Sequence, residues 1–321
     1  MRENLDLSGV IDVHMHAAVD HGNRYRDGLE LARDAAAAGM RAILLKSHYV
    51  STVGLAKNTA QAVDGLLVFG GLALNIPAGG LNPGLVDQAL TQGAKEIWMP
   101  TISAAYPMLS KGIKGEGIYI LNESGAVMPE VLDILRLISE HDAILGTGHL
   151  SIVEMRALVS AARSAGVKRI LVTHPESPLV AIPPAFQQEI CGPDLFFERC
   201  WLSTRMRVNQ KALGLEKIAS EIKEIGFEST ILATDLGQNS NPPPTAGMRD
   251  FISGLMDLGI PSKEIDRMAR QNPELWNAAI KSRKLVFQGY SLAFSRSPRA
   301  CAARMPSRYL KRVPLDAECP A

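Results

Sequence analysis

The residues best placed to do chemistry in this sequence are histidines. Asp12-Val13-His14-Met15-His16 closes an apolar run, and residues two apart in a strand share a face, so the two imidazoles are presented together. One His-x-His is common in satisfied cores and on surfaces. This one has company. Gly146-Thr147-Gly148-His149, Leu171-Val172-Thr173-His174 and Ala233-Thr234-Asp235 each end a further apolar run. Imidazoles plus one carboxylate form a ligand set for Zn²⁺ and also suit Mn²⁺, Fe²⁺ or Ni²⁺. Gathered without a cation, they would leave buried polar atoms in need of partners.

The elements that must gather them are repeated βα units. Eight short runs rich in Ile, Leu and Val, at 10–14, 42–46, 67–74, 96–100, 143–148, 169–173, 195–202 and 230–234, predict parallel strands. Helical character follows at 27–38, 52–63, 84–91, 129–141, 152–165, 210–225 and 246–258, with Gly39, Gly93, Gly166, Gly226 and Gly259 placed to close helices. Eight such units in somewhat over about 250 residues predict an α/β fold, a (β/α)8 TIM barrel. An open doubly wound sheet is disfavoured because no Gly-x-Gly-x-x-Gly follows the first strand. The barrel is expected to be a single domain over 1–280, with the proline-rich stretch Pro175 to Pro193 forming a loop over the site. Residues 281–321 are expected to be a poorly ordered basic extension.

Composition narrows the function classes. The 321 residues are 46% hydrophobic and 21% charged, with no apolar run long enough to cross a bilayer. The segment 281–321 carries nine Lys/Arg against two Asp/Glu, which leaves the remainder at −6. A mildly acidic main domain is not expected to bind nucleic acid. Cys191, Cys200, Cys301 and Cys319 show no Cys-x-x-Cys spacing, so a zinc ribbon or disulfide scaffold is not expected. The polar N-terminus lacks a secretory h-region. A cytoplasmic protein acting on a small molecule is expected, without a membrane partner and as a candidate homo-oligomer.

With these motifs the chain resembles the amidohydrolase superfamily, metal-dependent hydrolases on a (β/α)8 barrel, over about residues 8 to 280. The resemblance implies a metal centre with its catalytic partners at His14, His16, His149, His174 and Asp235. Zn²⁺ is the leading ion, with one or two bound. The family often adds a carboxylated Lys or a Glu after strand four, and Ile97-Trp98-Met99-Pro100-Thr101 has neither. Lys46, ending strand two, is a candidate replacement as a carbamate; equally it stays an ammonium that meets an anionic substrate or an acid. If no bridge exists, the centre is mononuclear and His174 is left for acid–base work.

The implied activity is hydrolysis of a C–N or C–O acyl bond in a cyclic amide, amide or lactone. Asp235 is the candidate general base, and His174 the candidate polariser of the carbonyl. The alternative is a metal-dependent decarboxylase on the same barrel. A phosphoesterase is less favoured, since Asp235-Leu236-Gly237 lacks the closing Asp-x-His, and so is a non-catalytic metal-binding barrel. Arg24, His48 and Arg205 are the candidate substrate-binding residues, beside Arg26, Lys111, Lys114 and Arg207, and they suggest an anionic substrate.

Overall fold

A computed structural model describes residues 5–106, 117–208 and 211–276. Strands β1 (Ile11–His16), β2 (Ala42–Lys46), β3 (Leu67–Ala73), β4 (Glu96–Trp98), β5 (Ile144–Gly146), β6 (Ile170–Thr173), β7 (Leu195–Cys200) and β8 (Thr230–Ala233) form one sheet in chain order. All seven neighbouring pairs are parallel. The sheet curls until its ends meet. Met15 bridges Leu236, just beyond β8, and the Asp235 amide donates to the His14 carbonyl at 2.9 Å. The eight-stranded α/β barrel expected from the sequence is therefore present.

Each strand is followed by a helix: α1 (Gly28–Ala37), α2 (Val53–Ala62), α3 (Pro83–Thr91), α4 (Pro129–Glu140), α5 (Ile152–Ser164), α6 (Pro184–Ile190), α7 (Leu215–Ile225) and α8 (Pro244–Asp257). Local chemistry starts and stops them. Asp27 with Glu30, and Ser151 with Glu154, form reciprocal capping boxes at α1 and α5. Gly39 and Gly166 close the same helices at φ +75° and +78°. The α5 box matters for the site because its cap, Ser151, lies two residues after His149.

The strands read as continuous apolar runs because both of their faces are buried. Outside the barrel Met15, Ile43, Leu45 and Leu232 pack with Leu31, Ile218 and Phe251. Inside, Ile11, Val13, Ala42, Ile144, Leu171 and Ile231 form a small apolar plug. Strict alternation along β1 would then send His14 and His16 outward. Asp12 pairs with Ile43 but Met15 with Leu45, so β1 carries one extra residue, a bulge that reverses the phase. His16 thereby pairs with Lys46 and faces the interior above the plug. Fully burying one such aliphatic side chain is worth about 1.5–3 kcal/mol, which holds both halves of the strand in phase.

Two expectations are corrected. Within the stretch expected to be a loop, residues 184–190 are helix α6, with Pro184 at its first position where no amide is needed. The helix expected from Gln210 begins at Leu215, after a short antiparallel pairing of Arg207–Val208 with Lys211–Ala212. Beyond α8 the chain adds α9 (Ser262–Asp266), a π turn over Arg267–Gln271 and α10 (Asn272–Trp276). The Asn272 carboxamide pins this last segment by donating to the carbonyls of Phe227 and Thr230. Lys111, Lys114 and the basic segment 281–321 lie outside the described residues. No described helix is long and apolar enough to cross a membrane.

Candidate metal centre

At the C-terminal mouth of the barrel β1 and β8 bring three ligand atoms together. His14 Nε2 and His16 Nε2 are 3.3 Å apart, and Asp235 Oδ1 lies 3.1 Å from each. The other nitrogen of each ring is committed elsewhere: His14 Nδ1 donates to Glu198 Oε1 at 3.1 Å, and His16 Nδ1 to Asp20 Oδ2 at 2.6 Å. These carboxylate partners assign the tautomers and turn both Nε2 lone pairs toward Asp235. Asp12 locks the two strands together, accepting from the amides of His14 and Thr234 and from the Thr234 hydroxyl. Burial would raise the Asp235 pKa, but the charge and hydrogen bonds of His14 and His16 hold it well below the usual carboxylate range.

A second pair stands opposite. His149 and His174, from the ends of β5 and β6, meet Nε2 to Nε2 at 3.1 Å, and His174 lies 6.3 Å from His14 between ring centres. Burial, reinforced for His149 by the neighbouring His174, pushes both pKa values down, that of His174 to about 4. His174 and Asp235 both adopt left-handed backbone, at φ +32° and +54°. Such non-glycine strain costs about 1–3 kcal/mol a residue and collects at functional sites. Gly237 is required nearby, since any Cβ there would strike the His16 carbonyl.

Lys46 projects among these groups with 1% of its surface exposed. Its Nζ is 3.0 Å from His14 Nε2 and 5.0 Å from the centre of the Trp98 ring. At the level where a strand-four ligand would stand, β4 presents Trp98. The acid of β4 is Glu96, two residues earlier and fully buried. Neither Glu96 oxygen, nor Glu198 Oε2, has a hydrogen-bond partner among the described residues. Burial, with repulsion from Glu198, raises the Glu96 pKa well above its ordinary value.

Of the candidate substrate-binding residues, two reach the site. Arg24 Nη2 pairs with Asp20 Oδ2 at 2.6 Å. His48 stacks on His16 at 4.5 Å and bonds Asp20 through Nδ1 at 3.0 Å. Burial and repulsion from His16 lower the His48 pKa to about 3, so this ring is neutral. Arg205 is not brought there: it is exposed and lies over the Trp201 ring, lining a cleft with Leu215, Glu216 and Asp250 on the helical side. Arg26 is committed to Asp34. The sequence reading missed Asp12, Asp20, Glu96, Trp98 and Glu198. Charged residues inside apolar strands were the available signal for Glu96 and Glu198; Asp20, in a loop, offered none.

The donor set fits a divalent cation. Atoms about 2.1 Å from one ion at tetrahedral angles stand about 3.4 Å apart, close to the separations within the first cluster. Burial disfavours charge on His14, yet the Asp235 carboxylate outweighs it and pushes the pKa up to about 9. A doubly protonated ring cannot accept from Lys46, so the neighbours of Nε2 make incompatible demands. His14, His16 and Asp235 present their three ligand atoms close enough together for one cation to take both Nε2 lone pairs and the carboxylate.

The fold is shared with solved hydrolases. An amidohydrolase from Burkholderia multivorans with bound zinc superimposes with TM-score 0.58 at 11% identity, covering 84% of this chain and 99% of that one. A probable dipeptidase from Pseudomonas aeruginosa gives 0.56 at 10% identity, covering 87% and 96%. An organophosphorus hydrolase from Deinococcus radiodurans gives 0.53 at 15% identity, covering 85% and 93%. The chain thus shares its barrel architecture with these solved structures. No curated protein matches the chain by sequence. Residues 9–198, from just before β1 to within β7, match a family of unknown function, DUF6282, and the chain belongs to that family.

Proposed function

We propose that the protein is a divalent-metal-dependent hydrolase of the amidohydrolase type, cleaving a C–N or C–O acyl bond of a small molecule. The observation that carries this reading is the convergence of His14 Nε2, His16 Nε2 and Asp235 Oδ1, with both remaining ring nitrogens donated to buried carboxylates. His14, His16 and Asp235 would hold the ion, with His149 and His174 as ligands of a second. Zn²⁺ fits these nitrogen and oxygen donors. When bound, such an ion acidifies water and polarises a carbonyl.

The chain's own groups supply the rest. Asp235 is ionised at neutral pH and can accept a proton from the attacking water, then return it to the leaving nitrogen or oxygen. With a single ion bound, His174 is left as a neutral ring that can donate an N–H to the developing oxyanion. Lys46, whose Nζ lies over the Trp98 ring, would act as a second donor to that oxygen. Arg24 has its charge balanced by Asp20, so it orients that carboxylate and His48 rather than setting a strong preference for anionic substrates.

A metal-dependent decarboxylase is the second reading, favoured by Trp98 standing at the strand-four position. The test is zinc content of the dialysed full chain, together with turnover of neutral lactones, esters and amides beside a carboxylated series. We expect at least one equivalent of zinc, and acyl hydrolysis that falls by about 10²–10⁴ in Asp235→Asn. Retention of no metal overturns the reading. Carbon dioxide release from the carboxylated series without hydrolysis selects the lyase.

A further inference from the structure

We propose that Arg199, on the outer face of β7, is a positioning residue for His174 and acts through Glu176. The proposal deepens the site assignment above, but its test does not depend on metal or turnover.

His174 differs from His14 and His16 in what orients it. Its Nδ1 is buried and has no hydrogen-bond partner among the described residues, so no carboxylate aims the ring. Apart from its Nε2 contact with His149, the ring takes its direction from its backbone. That backbone opens a strained turn: His174 is at φ +32° and Ala181 at +47°. The turn is internally bonded, the His174 carbonyl accepting from the Ser177 amide at 2.9 Å and the Pro175 carbonyl from the Ile182 amide at 2.9 Å. Two left-handed non-glycine residues in nine persist only where the surroundings over-determine them.

A buried polar network on the helical side supplies that constraint. Arg199 is 0% exposed and donates through Nη1 to Glu176 Oε1. Its Nη2 donates to Gln187 Oε1 of α6 at 2.8 Å. Gln187 Nε2 donates in turn to the Ile182 carbonyl, which closes the turn, and to Glu221 Oε2 of α7. The turn is therefore gripped at residue 176 by Arg199 and at residue 182 by Gln187. Glu176 stands two residues from His174, so the Arg199 clamp bears on the histidine more directly than the Gln187 clamp does.

The alternation of β7 makes the assignment specific. Glu198 faces inward and fixes His14 through its ring; Arg199, the next residue, faces outward and fixes His174 through its main chain. One dipeptide thus sets two histidines, one on β1 and one in the turn after β6.

The test uses metal-free full-length protein labelled with ¹⁵N-histidine, whose ring nitrogens report tautomer and environment in long-range ¹H–¹⁵N spectra. His174→Gln and His149→Gln assign the two signals. Arg199→Met and Glu176→Ala are compared with Gln187→Met, which disturbs the same network but leaves the Arg199–Glu176 pair in place. We expect the Arg199 and Glu176 variants to shift or broaden the His174 ring signals while His14 and His16 stay at wild-type positions. Gln187→Met should lower Tm with a smaller change at His174, and Arg199→Lys should restore part of the wild-type spectrum. The proposal is overturned if His174 is unmoved in folded Arg199→Met, or if Gln187→Met moves it as far. If Arg199→Met does not fold, Glu176→Ala decides on the same criterion.

Discussion

At the β1 edge of the cluster, His14 and His16 each give their Nδ1 proton to a buried carboxylate, Glu198 and Asp20. At the β5–β6 edge, His149 and His174 meet Nε2 to Nε2, and neither ring bonds a carboxylate among the described residues. The first arrangement fixes tautomer and direction before a ligand arrives, which lowers the reorganisation that binding requires. The second sets the two rings against each other and leaves the proton position open. A nitrogen whose proton is not assigned in advance suits acid–base work as well as coordination. On the proposed reading the two pairs would divide the task, one anchoring an ion and the other keeping its proton position adjustable.

This contrast can be broken most severely by metal retention. His16→Ala should abolish zinc retention after dialysis, whereas His149→Ala should keep one equivalent; loss of all zinc in both variants would make the pairs equivalent. Lys46→Met comes next, lying between the pairs. As an ammonium donor, its removal should leave zinc content unchanged and lower turnover by about 10²–10³; loss of one equivalent would instead assign it as a bridging carbamate. The smallest effect is expected from Asp20→Asn, which keeps the side-chain shape but weakens the grip on His16. Competition with a chelator should show zinc affinity reduced by about 10–100-fold, and an unchanged affinity would mean that His16 is aimed by packing against His48 alone.

The eight strands could be read from the sequence because a parallel strand covered on both faces needs an unbroken apolar run, and the capping glycines mark where helices end. The strand-end residues His14, His16, His149, His174 and Asp235 were visible for a related reason, since polar groups that end such runs stand at a barrel mouth. What stayed hidden depends on partners distant in sequence. Asp20 acquires its role only when the loop after β1 folds back over His16 and His48. Glu198 and Arg199 share one strand but serve opposite faces, so no local pattern reveals that each meets a different histidine-bearing segment. Arg205 looked equivalent to Arg24 by its place after a strand, yet the five-residue turn that follows β7 carries it onto Trp201.

The bulge in β1 gives the site a reading frame. Below it Ile11 and Val13 belong to the barrel interior, and above it His14 and His16 do, because one uncounted residue lies between the two pairings of Asp12 and Met15. Along this strand phase is therefore more tightly specified than composition. Many exchanges among Ile, Val and Leu below the bulge would keep the histidines where they are, while pairing the same residues in strict alternation, without the bulge, would turn both toward the helices and leave Asp235 facing an apolar wall.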